Sequence, residues 1–316
     1  MAEARIIAVV GATGAQGGGL VRAILDEHGG PFSARALTRD PRSEKAAELA
    51  RRGAEVVHAD LDDPQSLRRA FEGAWGAYCV TNFWEHHSPE RELQQARNMA
   101  EAAKAAGLLH VIWSTLEDTR RQVSLDDTRM PTLMGKYKVP HFDAKGEADH
   151  FFTDLGLPTT FFMAAFYWEN FIYFGMGPQR GPDGVLGITL PMGDKKLPGI
   201  AAEDIGRCAH GVFKAGDVYL GRTVGVAGDQ LTGQEMAMAF SRAVGQEVRY
   251  NEVPPEVYAT FGFPGADDLA NMFQFKRDFN EHFCAVMSPV EARKLNPSLQ
   301  NFEQWLAAHK DRIPLA

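Results

Sequence analysis

The feature that most constrains the fold of this chain is a glycine-rich loop between an apolar strand and a helix. Residues 6–10 predict a short β-strand, and the loop GATGAQG at residues 11–17 follows at once. Glycine permits a tight turn and lets the backbone approach a pyrophosphate, while a helix N-terminus offers unpaired N–H groups. In this position a dinucleotide site is favoured over a purely structural turn. The candidate cofactor-binding residues of the loop are Gly11, Thr13, Gly14, Ala15, Gln16 and Gly17.

The first half of the chain alternates short apolar runs with segments of helical periodicity. The runs with strand character are residues 6–10, 34–38, 55–59, 77–81, 110–114 and 159–162. Right-handed crossovers between such strands build a parallel sheet with helices on both faces. The sequence therefore predicts a Rossmann-type doubly wound α/β fold, with its ligand site at the carboxyl ends of the strands.

Local signals also predict where helices begin. Asp40-Pro41 and Asp63-Pro64 each have the pattern of an N-cap followed by a first-turn proline, which predicts the starts of the second and third helices. A long fourth helix is expected over residues 89–107.

The alternation ends in the second half. Glycine and proline become frequent between residues 175 and 199. Capping-box spacing at residues 232–235 and 288–291 predicts two helix starts, with a strand at residues 247–251 between them. We expect a dinucleotide-binding Rossmann domain over residues 1–165, to which later segments return, and a smaller mixed α/β substrate or partner domain over residues 166–316.

Composition excludes several classes of protein. With 33 Lys and Arg against 41 Asp and Glu, the net charge of −8 gives no general attraction to nucleic acid. The longest apolar run, residues 161–168, is far shorter than the roughly 20 residues that span a bilayer, and the N-terminus lacks the segments of a secretory signal. Cys79, Cys208 and Cys284 lie far apart, which fits neither a disulfide framework nor a zinc site. We expect a cytoplasmic protein with no membrane or direct nucleic-acid partner.

The end of the second strand favours NADP over NAD. Where an NAD site usually places an acidic residue for the ribose 2′-hydroxyl, this chain has Arg39. A guanidinium can bind a 2′-phosphate through two parallel hydrogen bonds, and Arg42 and Lys45 add positive charge nearby. The alternative is a solvated basic helix start. We predict NADP(H) as the cofactor.

Six motifs lie along nearly the whole chain: GATGAQG at 11–17, LTRDPR at 37–42, TNFWE at 81–85, HFDAKGE at 141–147, YWENF at 167–171 and GFPGADDLANM at 262–272. Together they resemble the NmrA-like family of atypical short-chain dehydrogenase/reductases, and within it the HSCARG-type redox sensors. The resemblance implies further cofactor contacts. They are Asp60 and Leu61 near the adenine, Thr81, Asn82 and Phe83 along the middle of the cofactor, and Phe166, Tyr167, Trp168 and Glu169 near the nicotinamide.

Two positions depart from the pattern that the resemblance implies. Close relatives have a lysine in the fourth helix where this chain has Gln94, which would weaken a phosphate contact. Typical short-chain dehydrogenases protonate a carbonyl oxygen through Tyr-x-x-x-Lys, and here His141 replaces the tyrosine while Lys145 remains. Histidine can donate a proton near neutral pH and shares a helix face with Lys145, so both are candidate catalytic residues. Alternatively, Lys145 only anchors the cofactor and His141 is a polar residue at a helix start.

Other side chains keep two interpretations each. Ser114 and Thr115 could polarise a substrate or satisfy local backbone groups. The aromatic stretch at residues 161–174 either lines a substrate pocket or packs in the core, and the aromatic residues between 261 and 275 either cover the cofactor or form a partner surface. His86-His87 has no partner at metal-ligand spacing, so we expect no metal site.

Two functions are compatible with these features. One is a redox sensor or regulator whose loops order on NADPH binding and which signals to a regulatory protein partner, as the resemblance implies. The other is an NADPH-dependent reductase of a small-molecule substrate, namely a carbonyl, imine or activated alkene, which His141 and Lys145 would serve. Because the usual tyrosine is missing, the sequence narrowly favours the sensor.

Overall fold

Parallel strand pairing dominates the architecture. The computed structural model describes residues 4–315. Its strands are β1 (Arg5–Val9), β2 (Phe32–Thr38), β3 (Glu55–His58), β4 (Gly76–Cys79), β5 (His110–Thr115), β6 (Thr159–Ala164), β7 (Phe166–Tyr167), β8 (Gln179–Arg180), β9 (Leu186–Leu190), β10 (Lys196–Ile200), β11 (Thr223–Val226), β12 (Asp229–Thr232), β13 (Val248–Glu252) and β14 (Met287–Ser288). The main sheet has the order β14-β11-β6-β5-β4-β1-β2-β3, and its pairs are parallel. The order β3-β2-β1-β4-β5-β6 is that of the doubly wound Rossmann fold, so the predicted fold class is confirmed.

The second half of the chain contributes to the main sheet and also builds two smaller sheets. Strand β11 pairs with β6, and β14 pairs with β11. The smaller sheets have the orders β12-β10-β7 and β13-β9-β8, each with one parallel and one antiparallel pair. The chain beyond residue 166 therefore forms mixed α/β structure and extends the Rossmann sheet at one edge.

The helices are α1 (Ala15–Asp26), α2 (Glu44–Arg51), α3 (Pro64–Phe71), α4 (Pro89–Ala105), α5 (Pro140–Asp154), α6 (Asn170–Tyr173), α7 (Ala202–Ala215), α8 (Gly233–Val244), α9 (Pro255–Tyr258), α10 (Ala266–Asp278), α11 (Asn280–Val286), α12 (Pro289–Leu295) and α13 (Phe302–His309). In the part of the chain that the structure describes, none is long and apolar enough to cross a membrane.

Side chains of β1 alternate between two buried cores, as the period of a strand requires. One core joins β1 to α1 and α7, and the other joins it to α3, α4 and α5. The residues that define them are Ile7, Val9, Leu20 and Ile205 on one face, and Ala8, Val10, Leu67, Met99 and Phe152 on the other. Helices α1 and α7 approach so closely that a Cβ on Gly206 would lie 2.1 Å from the Leu20 backbone nitrogen, so the contact requires glycine there. This contact docks the second half of the chain onto the glycine-loop helix.

The predicted helix starts in the first half have different outcomes. Helix α3 begins at Pro64 with Asp63 as its N-cap, as predicted. The same prediction for Asp40 is wrong, because Ser43 caps α2 instead. The Asp40 carboxylate accepts the N–H of Arg42 at 3.0 Å, but the Ser43 N–H donates to the Asp40 carbonyl at 3.2 Å, so the chain makes a turn before the helix begins.

Both predicted helix starts in the second half are confirmed. Thr232 and Glu235 form a reciprocal capping box at α8. Ser288 accepts the Glu291 N–H at 3.2 Å at the start of α12, but the Glu291 carboxylate accepts the Tyr219 hydroxyl at 2.7 Å. The strand expected between these helices is β13.

Candidate functional site

The glycine loop connects the carboxyl end of β1 to the first turn of α1. Gly11 has a φ of +63°, which favours glycine, and the Gly14 N–H donates to the Gly11 carbonyl at 2.8 Å. A Cβ on Gly17 would lie 2.5 Å from that carbonyl oxygen, so the turn closes tightly. Thr13 and Ala15 complete the loop. Gly14 caps α1 without a side-chain hydrogen bond, which leaves first-turn N–H groups for an anion. The loop therefore fits a pyrophosphate.

Arg39 directly follows β2 and forms a two-point ion pair with Glu85. Its Nη2 lies 3.1 Å from one carboxylate oxygen, and its Nη1 donates to the other. This guanidinium holds the pKa of Glu85 below its usual range. The Arg39 side chain is 59% exposed, so a ligand can reach it. Arg42 is exposed and, within residues 4–315, forms no ion pair.

The end of β3 carries Asp60 and Leu61. The Asp60 carboxylate accepts the N–H of Asp62 at 2.9 Å, and the Leu61 carbonyl accepts the Asn98 amide at 2.7 Å. Gln94 donates to the Asn98 side chain at 2.8 Å. Gln94 therefore reaches this strand end only through Asn98 and adds no positive charge there.

Lys145 extends from α5 into a buried pair with Glu92 of α4. Its Nζ lies 2.8 Å from Glu92 Oε1 and 2.5 Å from Thr81 Oγ1, and the Thr81 hydroxyl also donates to Oε1. The three side chains are buried. Glu92 Oε2 lies 3.7 Å from His86 Nε2. Burial lowers the pKa of His86, which favours a neutral imidazole, so Lys145 supplies the positive charge that balances Glu92.

Gln16 is the centre of a hydrogen-bonded cluster at the same edge of the sheet. Its carboxamide oxygen accepts the Ser114 hydroxyl at 2.9 Å and the Tyr78 hydroxyl, and its amide nitrogen donates to Tyr167. Burial raises the pKa of Tyr167 to about 12, so its phenol stays protonated at neutral pH. The cluster offers neutral donors and acceptors, which suit an amide or carbonyl group.

His141, in the first turn of α5, is paired with Asp268 of α10. Its Nδ1 lies 2.7 Å from one carboxylate oxygen, and its backbone N–H donates to the other at 3.2 Å. The Trp84 and Phe83 rings lie 4.7 and 5.9 Å from the imidazole, and His141 is 5% exposed. A carboxylate at Nδ1 orients the ring and places the proton on that nitrogen. This geometry leaves Nε2 for proton transfer.

Two residues that the resemblance places near the nicotinamide are held by contacts with later parts of the chain. Trp168 is buried, with its ring 5.9 Å from that of Trp305. Glu169 accepts the Ala202 N–H at 2.8 Å and the Trp305 indole N–H at 3.0 Å, which ties it to the start of α7 and to α13. The structure therefore does not bring this pair into the polar clusters described above, whereas Tyr167 joins them through Gln16.

Most of the aromatic stretch at residues 161–174 packs in the core. Its buried members are Phe161, Phe162, Phe166, Trp168 and Phe171, while Tyr173 and Phe174 are exposed. In the later stretch Met272, Phe273 and Phe275 are buried, and Phe261 and Phe263 are exposed. Asn82 is exposed beside the buried Phe83, directly after β4. Core packing thus accounts for most of the side chains whose role the sequence left open.

Three carboxylates of these clusters are not among the candidate site residues predicted from the sequence. Glu85 and Asp268 lie within the motifs TNFWE and GFPGADDLANM. The motifs contain these residues but do not indicate which cation or imidazole each one contacts. Glu92 has no such signal, because an acid in the first turn of a helix is ordinary there. Its burial results from the packing of α4 against α5.

The chain is similar to several known proteins. A family model described as the NmrA-like family matches residues 3–306. The chain is 32% identical over 312 residues to the NmrA-like family domain-containing oxidoreductase FrzB of Cladobotryum sp, covering 91% of this chain and 88% of FrzB.

Solved structures show the same architecture. A crystal structure of NmrA, a negative transcriptional regulator, is 25% identical with a TM-score of 0.79 and covers 96% of this chain and 95% of its own. NmrA in complex with NADP is 24% identical and NmrA in complex with NAD is 25% identical, each with a TM-score of 0.78 over 97% of this chain and 95% of theirs. The Citrobacter sp. triphenylmethane reductase complexed with NADP(H) is 22% identical, with a TM-score of 0.75 over 96% of this chain and 99% of that one.

The buried pair at Lys145 generates a stability prediction. Replacing Glu92 by glutamine should lower the free energy of unfolding by about 3 kcal/mol, because the Lys145 charge loses its buried counter-charge. Glu90→Gln in the same helical turn removes only the exposed pair with Lys136 and should cost less than about 1 kcal/mol. Urea denaturation of both variants measures the difference. Equal small losses would show that Lys145 does not depend on Glu92.

Proposed function

The chain belongs to the NmrA-like family, and from this premise we propose that it is an NADPH-dependent reductase of a small carbonyl, imine or activated alkene. The observation that carries the proposal is the pairing of His141 with Asp268, one helical turn before Lys145. The pair supplies a proton donor at the position where the usual tyrosine is missing. FrzB, which is 32% identical, is itself named an oxidoreductase.

The edge of the sheet offers a residue for each part of NADP(H). The glycine loop at 11–17 would hold the pyrophosphate, Arg39 the 2′-phosphate, and Asp60-Leu61 the adenine. Thr81–Phe83 and Lys145 would hold the ribose on the nicotinamide side. When bound, NADPH supplies the hydride for the reduction. NmrA has been crystallised with NADP and triphenylmethane reductase with NADP(H), which supports the same cofactor here.

The side chains around His141 provide the proton half of the reaction. The imidazolium would donate its Nε2 proton to the substrate oxygen or nitrogen on which negative charge develops. Asp268 would stabilise the charged ring until that proton leaves. Trp84 and Phe83 shield the ring from water, which strengthens its interaction with the carboxylate. Tyr167 would orient a carbonyl or amide group by a neutral hydrogen bond.

A second candidate function, a redox sensor, is favoured by the way two predicted cofactor contacts are held. Glu85 pairs with Arg39 and Glu92 pairs with Lys145, and both acids lie in residues 81–92. A cofactor phosphate would compete with Glu85 for Arg39, so occupancy would change this segment and its contacts with a regulatory protein. NmrA is described as a negative transcriptional regulator, and the HSCARG-type resemblance agrees with this role. Either function suits a reducing cytoplasm, where Cys79, Cys208 and Cys284 would stay free thiols.

Replacing Arg39 by alanine should weaken NADPH binding about ten- to a hundredfold and leave NADH binding nearly unchanged. The variant loses a charge-assisted contact to the 2′-phosphate of roughly 1.5–3 kcal/mol. Isothermal titration calorimetry with both cofactors measures the two affinities. Arg52→Ala is the matched control, because it removes an equal charge and a surface ion pair with Asp26 and should change neither. Equal losses for NADPH and NADH in Arg39→Ala would reject the phosphate role.

His141→Phe should reduce turnover about a hundredfold while NADPH affinity stays within about threefold, because only the proton donor is lost. Asp268→Asn should also reduce turnover, since an amide stabilises the imidazolium less than a carboxylate does. The assay follows NADPH oxidation with a panel of aldehydes, quinones, imines and enones.

The same assay separates the two candidate functions. Lys145→Ala should impair both NADPH binding and turnover. Turnover that survives His141→Phe unchanged would eliminate this histidine as the donor. Tight NADPH binding with no turnover across the panel would favour the sensor.

For the sensor, NADPH should slow hydrogen exchange in the backbone of residues 39–45 and 81–92, because these segments would exchange their mutual ion pair for contacts with the cofactor. Mass spectrometry with and without saturating NADPH measures the protection. Glu85→Gln should raise NADPH affinity severalfold by freeing Arg39. Unchanged exchange in both segments would remove the proposed switch.

A further inference from the structure

Lys276, in the third turn of α10, is a buried lysine that the proposed reaction does not use. It is 3% exposed, and its Nζ lies 5.3 Å from the ring centre of Phe283, 5.5 Å from that of Phe142 and 5.8 Å from that of Phe273. Within residues 4–315, no carboxylate lies within ion-pairing distance of this nitrogen. The three rings come from α11, α5 and α10. We call them the Lys276 cage.

Lys138 is a second buried lysine, and its contacts are those of a residue with a purely structural role. Lys138 is fully buried, and its Nζ donates to the carbonyl oxygens of Asp127 at 2.8 Å and Met130 at 2.7 Å. Lys276 Nζ instead faces three aromatic rings, which stabilise a cation less than oxygen ligands do. Burial lowers the pKa of Lys276 to about 7. Methionine would fill the same space without burying a charge, so packing alone does not account for a lysine here.

The cage lies next to the candidate proton donor, since the Phe142 ring is 4.8 Å from the His141 imidazole. Phe142 directly follows His141, and its neighbour in the cage, Phe273, packs against Phe166 at 6.2 Å. Asp268, which holds His141, and Lys276 are eight residues apart on α10, or about 12 Å along the helix axis. One helix therefore carries both the partner of the proton donor and an unpaired cation.

We propose that the Lys276 cage is a binding site for the anionic oxygen of an aromatic acid, which would be anchored there while the rest of the molecule extends toward His141. The ammonium supplies a positive charge that an anionic oxygen would neutralise, and the rings supply apolar walls for an aromatic ligand. Phe283 is buried on the short helix α11, so the proposal requires its ring to move aside for the ligand to reach Nζ. This site deepens the proposed reductase by naming its substrate class as an aromatic compound with a carboxylate or similar anionic oxygen.

The test is calorimetric titration of the full chain with 2-naphthoate and with the neutral 2-naphthylmethanol, which has the same ring system. The unaltered protein should bind naphthoate at least tenfold more tightly than the alcohol. Lys276→Met should lose that preference, while Lys195→Met, an equal charge change at a half-exposed surface position, should keep it. A naphthoate affinity that is equal in Lys276→Met and the unaltered protein, or no naphthoate binding at all, would overturn the proposal.

A pH series on the unaltered protein tests the site without relying on the folding of a variant. Because the anion binds the protonated amine, naphthoate affinity should fall on the order of tenfold or more between pH 6.5 and 8.5. The elements packed against α10 carry other charged or titratable groups, which are His141, Asp143, Lys145, Glu147, Asp149, His150 and Asp154 on α5, Lys196 on β10, Glu256 and Tyr258 on α9, and Glu281, His282 and Cys284 on α11. A fall that persists in Lys276→Met would belong to one of these groups and would contradict the assignment.

NADPH binding separates this proposal from the proposed function. Lys276→Met should bind NADPH within about twofold of the unaltered protein, because the glycine loop and Arg39 are untouched. Loss of naphthoate binding with intact NADPH binding would show that the Lys276→Met change acts on the cage and leaves the cofactor site unaltered. If the protein binds naphthoate but shows no turnover, the anion site is supported and the reductase proposal is rejected.

Discussion

The carboxyl edge of the parallel sheet is the constraint on which the candidate site depends. Because β1, β2 and β4 run in one direction, the chain leaves each of them on the same side, and residues far apart in sequence meet there. Gln16 follows β1, Arg39 follows β2, and Thr81 follows β4. An antiparallel sheet would divide these residues between two edges. The tight glycine turn matters for the same reason, since it places the first turn of α1 at this edge.

Charge at this edge is balanced in two ways that differ in strength. The Arg39–Glu85 pair is largely exposed, and exposed pairs contribute at most about 1 kcal/mol. A phosphate with two negative charges can displace such a partner. The Lys145–Glu92 pair is buried, and separating a buried pair costs about 3–5 kcal/mol. A ligand phosphate would therefore replace Glu85 as the partner of Arg39, whereas Lys145 would stay paired with Glu92.

Helix α10 connects the second half of the chain to these clusters. Asp268 bonds to His141, and the Asn271 amide donates to the carbonyl of Lys138 at 2.6 Å. The helix thus positions both the imidazole and the segment that precedes α5. Lys276 on the same helix has no carboxylate partner within residues 4–315. The second half of the chain consequently contributes polar contacts as well as packing to the candidate site.

Local patterns were sufficient to predict the doubly wound sheet and several helix starts, because strand alternation, glycine turns and caps depend on near neighbours. The prediction at Asp40 was wrong because Ser43, three residues later, caps the helix in its place. The sequence also identified Arg39, His141 and Lys145 as candidates, and those roles stay predictions.

By itself, the sequence determined the parallel sheet and the side chains able to carry charge at its edge. Only the tertiary structure decided which carboxylate each cation meets. Glu85 lies 46 residues from Arg39, and Asp268 lies 127 residues from His141. Burial and pairing depend on distances between elements that are far apart in the sequence. No local pattern encodes those distances. For the same reason, only the packing of α5, α10 and α11 revealed that Lys276 is buried with no carboxylate partner among the residues that the structure describes.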